Sequence, residues 1–157
     1  MAIDNGLNAR ENIAYTYTAS GVKLQTIHTE DENIARMPIM GVGTFASVNP
    51  KVTTTDYIGN KIYEKVGNDA RKLKRILIDG GYIEGGAYHY YLTDHLGNNR
   101  AVANAGGSII QRTQYYPFGM AFTDKLGEQL QPYKYNGKEL DTRLQLNTYD
   151  YSARYMD

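Results

Sequence analysis

A glycine, usually close to a tyrosine, returns through this chain about every twenty residues, at Gly21, Gly41, Gly59, Gly80, Gly97, Gly119 and Gly137. The interval of 38 residues from Gly21 to Gly59 is repeated from Gly59 to Gly97. A fixed step of roughly twenty residues suits one strand–turn–strand unit, with glycine supplying the positive φ that tight turns demand. The expected fold is therefore all-β: antiparallel hairpin repeats, each buried mainly against its neighbours.

The aromatic residues fit that reading. The chain holds 15 Tyr, 3 Phe and no Trp, and Tyr-x-Tyr pairs stand at Tyr15/Tyr17, Tyr88/Tyr90, Tyr133/Tyr135 and Tyr149/Tyr151. In a strand the two members of each pair face the same way, so they can pack across neighbouring strands. Sheet packing accounts for them better than a ligand-binding row does.

Charge and leader signals narrow the function. Lys+Arg and Asp+Glu both number 17, and this balance supplies no long-range attraction to nucleic acid or anionic membrane. Without cysteine there is no disulfide or thiolate chemistry. Met1-Ala2-Ile3-Asp4-Asn5-Gly6 lacks the basic start and apolar run of a secretory signal, and no stretch reaches the roughly 20 apolar residues of a spanning helix. No membrane insertion is expected, and any export signal would lie elsewhere.

Along the chain, residues 1–12 read as a frayed end and 13–78 as strands joined by short turns. Thr29 to Pro38 reads as a loop, and Ile39 to Phe45 as a strand weakened by Gly41 and Gly43. Gly59-Asn60 suits a two-residue hairpin turn. Asn68 to Lys74 has a helical look, and Arg71-Lys72-Leu73-Lys74-Arg75 reads as a solvated loop or a charged edge strand. Residues 79–157 are more regular. Strand Tyr88 to Thr93 meets the turn Asp94-His95-Leu96-Gly97-Asn98-Asn99, Arg100 to Asn104 returns, and Ser108 to Tyr115 forms a third strand. Tyr116-Pro117-Phe118-Gly119 has the form of a type I turn, Asn136-Gly137 that of a type I′ hairpin turn, and Leu146 to Tyr155 that of a last strand.

Four segments carry a family resemblance: Tyr91 to Arg100 (YLTDHLGNNR), Tyr115-Tyr116-Pro117-Phe118-Gly119, Tyr135-Asn136-Gly137-Lys138-Glu139-Leu140, and Tyr149-Asp150-Tyr151-Ser152-Ala153-Arg154-Tyr155. In order and spacing they resemble the RHS repeat-associated core segment of RHS/YD-repeat proteins, in its Bacteroidetes-like form. Residues 13–78 resemble degenerate YD repeats, with Thr18 where the repeat would place aspartate. The resemblance implies part of a spiral sheet that closes as a hollow shell, commonly around a carboxy-terminal toxin, in a secreted or surface protein. Its motif residues, Asp94, His95, Leu96, Gly97, Asn98, Arg100, Tyr116, Pro117, Phe118, Gly119, Tyr135, Asn136, Gly137, Tyr149, Asp150, Arg154 and Tyr155, are expected to be structural. Many members also cleave themselves just beyond this segment. Ending at Asp157, the chain is expected to lack that region and any toxin, and to hold too few repeats to enclose a cavity alone. Neighbouring repeats are its expected partners, and an encapsulated toxin is a further possible one.

Catalysis has little to build on. Asp94-His95 are adjacent, but consecutive strand residues face opposite sides, so a turn pair is the better reading. His28, His89 and His95 have no zinc spacing, and Gly41-Val42-Gly43 and Gly85-Gly86 lack the lysine and helix of a phosphate loop. No enzyme, metal or cofactor is expected. The rival reading is a cell-wall or carbohydrate-binding tyrosine-rich repeat, although aromatic cages favour tryptophan and this chain has none.

Overall fold

A computed structural model describes residues 2–4, 12–30, 50–122, 131–143, 146–152 and 155–156. The expected loop at 29–38 falls almost entirely, and the expected strand at 39–45 wholly, outside these residues. The chain forms two compact units, Met1–Leu73 and Lys74–Asp157.

In the first unit β1 (Ala2–Asp4), β2 (Asn12–Tyr17), β3 (Lys23–Glu30), β4 (Lys51–Ile58) and β5 (Lys61–Val66) lie side by side in chain order. Of the expected frayed start, Ala2–Asp4 is paired: Ile3 lies opposite Ile13 and Asp4 opposite Asn12, so the exposed edge of β2 finds main-chain partners. Period-two alternation sets the buried face. Ile13 stands opposite His28 and Tyr15 opposite Thr26, and all four are buried, Ile13 completely. Burying a side chain of that size stabilises by about 1.5–3 kcal/mol. Gly59, at φ 60, makes the two-residue turn between Ile58 and Lys61 that the sequence implies.

The second unit opens with β6 (Lys72–Ile78), whose first two residues belong to the first unit. It continues through β7 (Gly81–Glu84), β8 (Ala87–Thr93), β9 (Asn99–Asn104) and β10 (Ile109–Arg112), an antiparallel meander. β6 replaces the expected helical segment. Gly67 at φ 53 and Asp69 N–H on Val66 O (3.0 Å) make a turn, and from Lys72 the chain is extended. Arg75, in the basic run, is buried, not solvated. Its Nε donates to Glu84 (3.0 Å) and its guanidinium lies 4.2 Å from the Tyr82 ring centre, which satisfies the charge without water. On the same face Tyr82 stacks on His89 at 4.5 Å, while Val102 and Gln111 are buried beyond it. Burial pushes the Tyr82 hydroxyl up, against the nearby Arg75 charge. Gly81 has no room for a side chain, because a Cβ there would run into the His89 carbonyl.

The expected strand from Ser108 to Tyr115 is broken at Thr113. There Thr113 N–H bonds Arg100 O (2.9 Å), and β11 (Gln114–Tyr115) leaves to pair with β12 (Ala121–Phe122). The expected last strand also divides. β13 (Leu140–Asp141), β14 (Thr148–Asp150) and β15 (Tyr155–Met156) form a small sheet, and the chain folds back after Asp150, whose Oδ1 accepts Ser152 N–H at 2.7 Å.

Candidate functional site

Among the described residues five turns share one main-chain design. The first residue's N–H donates to the fifth carbonyl, and the fourth residue, always glycine, donates back to the first. They run Thr18–Val22 (2.8 and 3.0 Å), Asp94–Asn98 (both 3.0 Å), Asn104–Ser108 (both 2.9 Å), Tyr116–Met120 (2.9 and 3.1 Å) and Lys134–Lys138 (2.9 and 3.3 Å). Their glycines have φ between 65 and 92. In the first three the leading side chain also caps the turn. Thr18 Oγ1 accepts Val22 N–H, whereas Asn104 Oδ1 accepts both Gly106 and Ser108 N–H, all at 3.0 Å. The Asn104 turn lies where Ala105-Gly106-Gly107 implies one between Asn104 and Ser108.

Asp94 goes further. Its Oδ1 accepts the N–H groups of Leu96 and Asn98, both at 3.0 Å. Oδ2 accepts Asn98 Nδ2 at 2.9 Å and Arg100 Nε at 2.8 Å. Desolvation acts to raise the carboxyl pKa, but the bonds from Asn98, Arg100 and Leu96 together outweigh it and hold the group well below the usual carboxylate range. Four donors occupy an ionised carboxylate's accepting sites.

From here the motifs join. Asn98, 2% exposed, turns its Oδ1 to the N–H of Asn136 at 2.8 Å, linking the Asp94 turn to the Lys134 turn. Asn99, also buried, bonds the same segment through Nδ2 to Tyr133 O (2.6 Å) and N–H to Lys134 O (3.0 Å). Its carbonyl accepts the Tyr115 hydroxyl at 2.8 Å. The Tyr135 ring lies between Tyr115 (5.7 Å) and Tyr149 (5.9 Å). It also covers Gly119, where an added Cβ would come within 2.7 Å of the ring. Tyr149 donates its hydroxyl to Gly119 O at 2.9 Å, and burial pushes that phenol up to about 12. Tyr115 and Tyr133 are also pushed up, chiefly by desolvation. The guanidinium of Arg100 sits 5.3 Å from the Tyr115 ring.

Other motif residues lie outside this cluster. His95 and the Leu96 side chain are exposed on their turn, and Gly97 serves it through φ 81. Phe118, at φ 72 and ψ 12, corrects the expected type I turn, because its third position takes the left-handed conformation of type II. That geometry brings Gly119 against Tyr135 and leaves Phe118 82% exposed beside Pro117, with Tyr116 half exposed and packed on Phe122 at 4.3 Å. Asn136 (φ 50) and Gly137 (φ 65) make the type I′ turn expected of them. Asp150 caps the bend after β14 and pairs in register with Tyr155, while Arg154 lies outside the described residues. The sequence reading missed Asn99 and Tyr115 as members of the cluster; the run Asn98-Asn99 was the available signal. His28 lies in the other unit, with Nδ1 3.2 Å from Glu30, and among the described residues no group of three metal-binding side chains occurs.

Solved structures share this architecture. The crystal structure of TcdB2-TccC3-Cdc42 matches with a TM-score of 0.67 over 98% of this chain and 7% of that one, at 19% identity. A Photorhabdus luminescens Tc holotoxin pore with a TccC3 mutation gives 0.68, over 99% of this chain and 7% of that one, also at 19% identity. The likeness is one of fold. TcdB2-TccC3 without its hypervariable C-terminal region gives 0.66 with 98% and 7% coverage, again at 19% identity. The chain thus spans about 7% of the length of the Tc toxin chains it matches. No family model and no curated protein matches it.

Proposed function

We propose that this chain is a non-catalytic structural segment of an RHS/YD-repeat shell, one that encapsulates or presents a carboxy-terminal toxin or effector domain in a secreted or surface protein. The observation that carries the reading is that four separate motifs, remote in sequence, are spent on holding one another. Asp94 reaches Asn136 through Asn98, and Gly119 is held by Tyr135 and Tyr149. The Tc toxin fold likeness supports it. Exposed Tyr88, Tyr90, Leu92, Phe118 and Met120 give the unit apolar surface for neighbouring repeats to cover. Among the described residues no helix is long and apolar enough to cross a membrane.

Light scattering over a range of concentrations tests this. The isolated chain should self-associate, and adjoining repeats supplied in cis or in trans should suppress the association. A protease-resistant monomer that melts cooperatively would count against the shell. Because every accepting site of Asp94 is engaged, the purified protein should neither shorten itself nor cleave ester, peptide or phosphodiester substrates. An activity abolished by Asp94→Asn or His95→Ala would overturn that part.

A carbohydrate-binding reading has one observation in its favour. Tyr88 and Tyr90 are each nearly half exposed, with rings 6.4 Å apart and only 13° from parallel. Oligosaccharide binding lost in Tyr88→Ala and Tyr90→Ala would move the assignment there.

A further inference from the structure

Asn136 does more than donate its main-chain N–H to Asn98 Oδ1. It precedes Gly137, which has no side chain to shield its main-chain nitrogen from attack on the asparagine carbonyl. In that reaction Gly137 N loses its proton and bonds Asn136 Cγ, the Cγ–Nδ2 bond breaks, and ammonia leaves. Water then opens the five-membered imide at either carbonyl. One product is aspartate, and the other is isoaspartate, with an extra carbon in the main chain. Nothing but water is consumed.

The folded turn prevents the first step. Ring closure needs Cβ and the following nitrogen nearly eclipsed about the Cα–C bond, and at ψ 28 the Gly137 nitrogen is swung far from that position. Three bonds hold this conformation: Gly137 N–H to Lys134 O (3.3 Å), Lys138 N–H to Tyr135 O (2.9 Å), and Asn136 N–H to the buried Asn98 Oδ1 (2.8 Å). The nitrogen that would leave, Nδ2, donates to the Tyr151 hydroxyl at 3.0 Å. The residue is nevertheless exposed, so water has access.

We propose that Asn136 is a spontaneous deamidation site gated by this latch: closed, the turn protects it, and each opening lets it convert. The isoaspartate product cannot restore the turn, because the added carbon separates the groups that close it. The aspartate product loses the Nδ2 donor to Tyr151. Conversion therefore makes opening of the Lys134 turn a one-way event.

The test incubates the purified chain in mildly alkaline buffer across a urea series and follows Asn136 by peptide mass mapping. Folded wild type should convert about tenfold or more slowly than the unfolded chain, and its rate should begin to climb at urea concentrations below the global transition, as local opening does. Asn98→Ala, which removes the acceptor of Asn136 N–H, should speed conversion several-fold in folded protein, and Tyr151→Phe should do so less. If Asn98→Ala does not fold, the wild-type urea series decides alone. Equal rates in folded and unfolded wild type, or a rate that follows only global unfolding, would overturn the proposal. So would a folded Asn98→Ala with the wild-type rate.

Discussion

The turn that begins at Thr18 and the turn that begins at Asp94 are built alike in the main chain, each closed by the same two hydrogen bonds and by a glycine at φ 81. They differ in what the leading side chain reaches. Thr18 caps Val22 N–H and meets Ser20 Oγ at 2.9 Å, and these contacts stay within the turn. Asp94 has a second oxygen, and through Arg100, Asn98 and Asn136 that oxygen joins the turn to a segment about forty residues away. Main-chain geometry makes the hairpin, and the carboxylate makes it part of something larger.

The largest expected effect separates the fifth positions. Asn98→Ala strips a partner from both Asp94 Oδ2 and Asn136 N–H in a buried place and should cost about 2–4 kcal/mol in urea unfolding. Val22→Ala, at the corresponding exposed position, should stay within about 0.5 kcal/mol. Equal losses would mean that the link to Asn136 contributes nothing.

Next come the two glycines, where the comparison should vanish. Gly21→Ala and Gly97→Ala each force an L side chain to φ 81 and should each cost about 1–2 kcal/mol. A clear difference between their unfolding midpoints would show that the two turns are not strained alike.

A smaller effect concerns the far end of the network. Tyr149→Phe removes the donor to Gly119 and should cost about 0.5–1.5 kcal/mol at neutral pH. The phenol is raised from 10.0 to about 12 in the folded protein, so its contribution is complete below pH 10.0 and is lost as pH rises through about 12. An alkaline melting series should show a shallower decline for Tyr149→Phe than for wild type. Asp94 has the opposite sign: lowered from 3.8, it contributes fully above that value and loses its contribution as pH falls below it. Acid melting of Asp94→Asn should therefore be flatter than that of wild type.

The smallest effect would turn one member of the pair into the other. Thr18→Asp gives the first turn a second accepting oxygen for Ser20 N–H, and should stabilise by no more than about 0.5–1 kcal/mol, since no counterpart of Arg100 or Asn136 faces it among its described bonds. A gain as large as the loss in Asn98→Ala would show that the cap alone, not the link, is what stabilises.

Much of this molecule could be read from local signals. Gly59-Asn60 and Asn136-Gly137 each announced a hairpin, because a glycine in the pair supplies positive φ without steric cost. The basic run at residues 71–75 misled, because local charge says nothing about the ring and carboxylate that receive Arg75. Phe118 misled in another way, since its positive φ runs against residue preference and is held in place by Tyr135 and Tyr149 acting on Gly119. By itself, then, the sequence determined an all-β chain of antiparallel hairpins and the place of most of its turns, which depend on neighbours within a few residues. Only the tertiary structure decided that Asn98, Asn99 and Tyr115 hold the Lys134 segment and that the strands at Thr113 and Asp150 break, because those outcomes rest on hydrogen bonds and ring contacts between residues that sequence distance keeps apart.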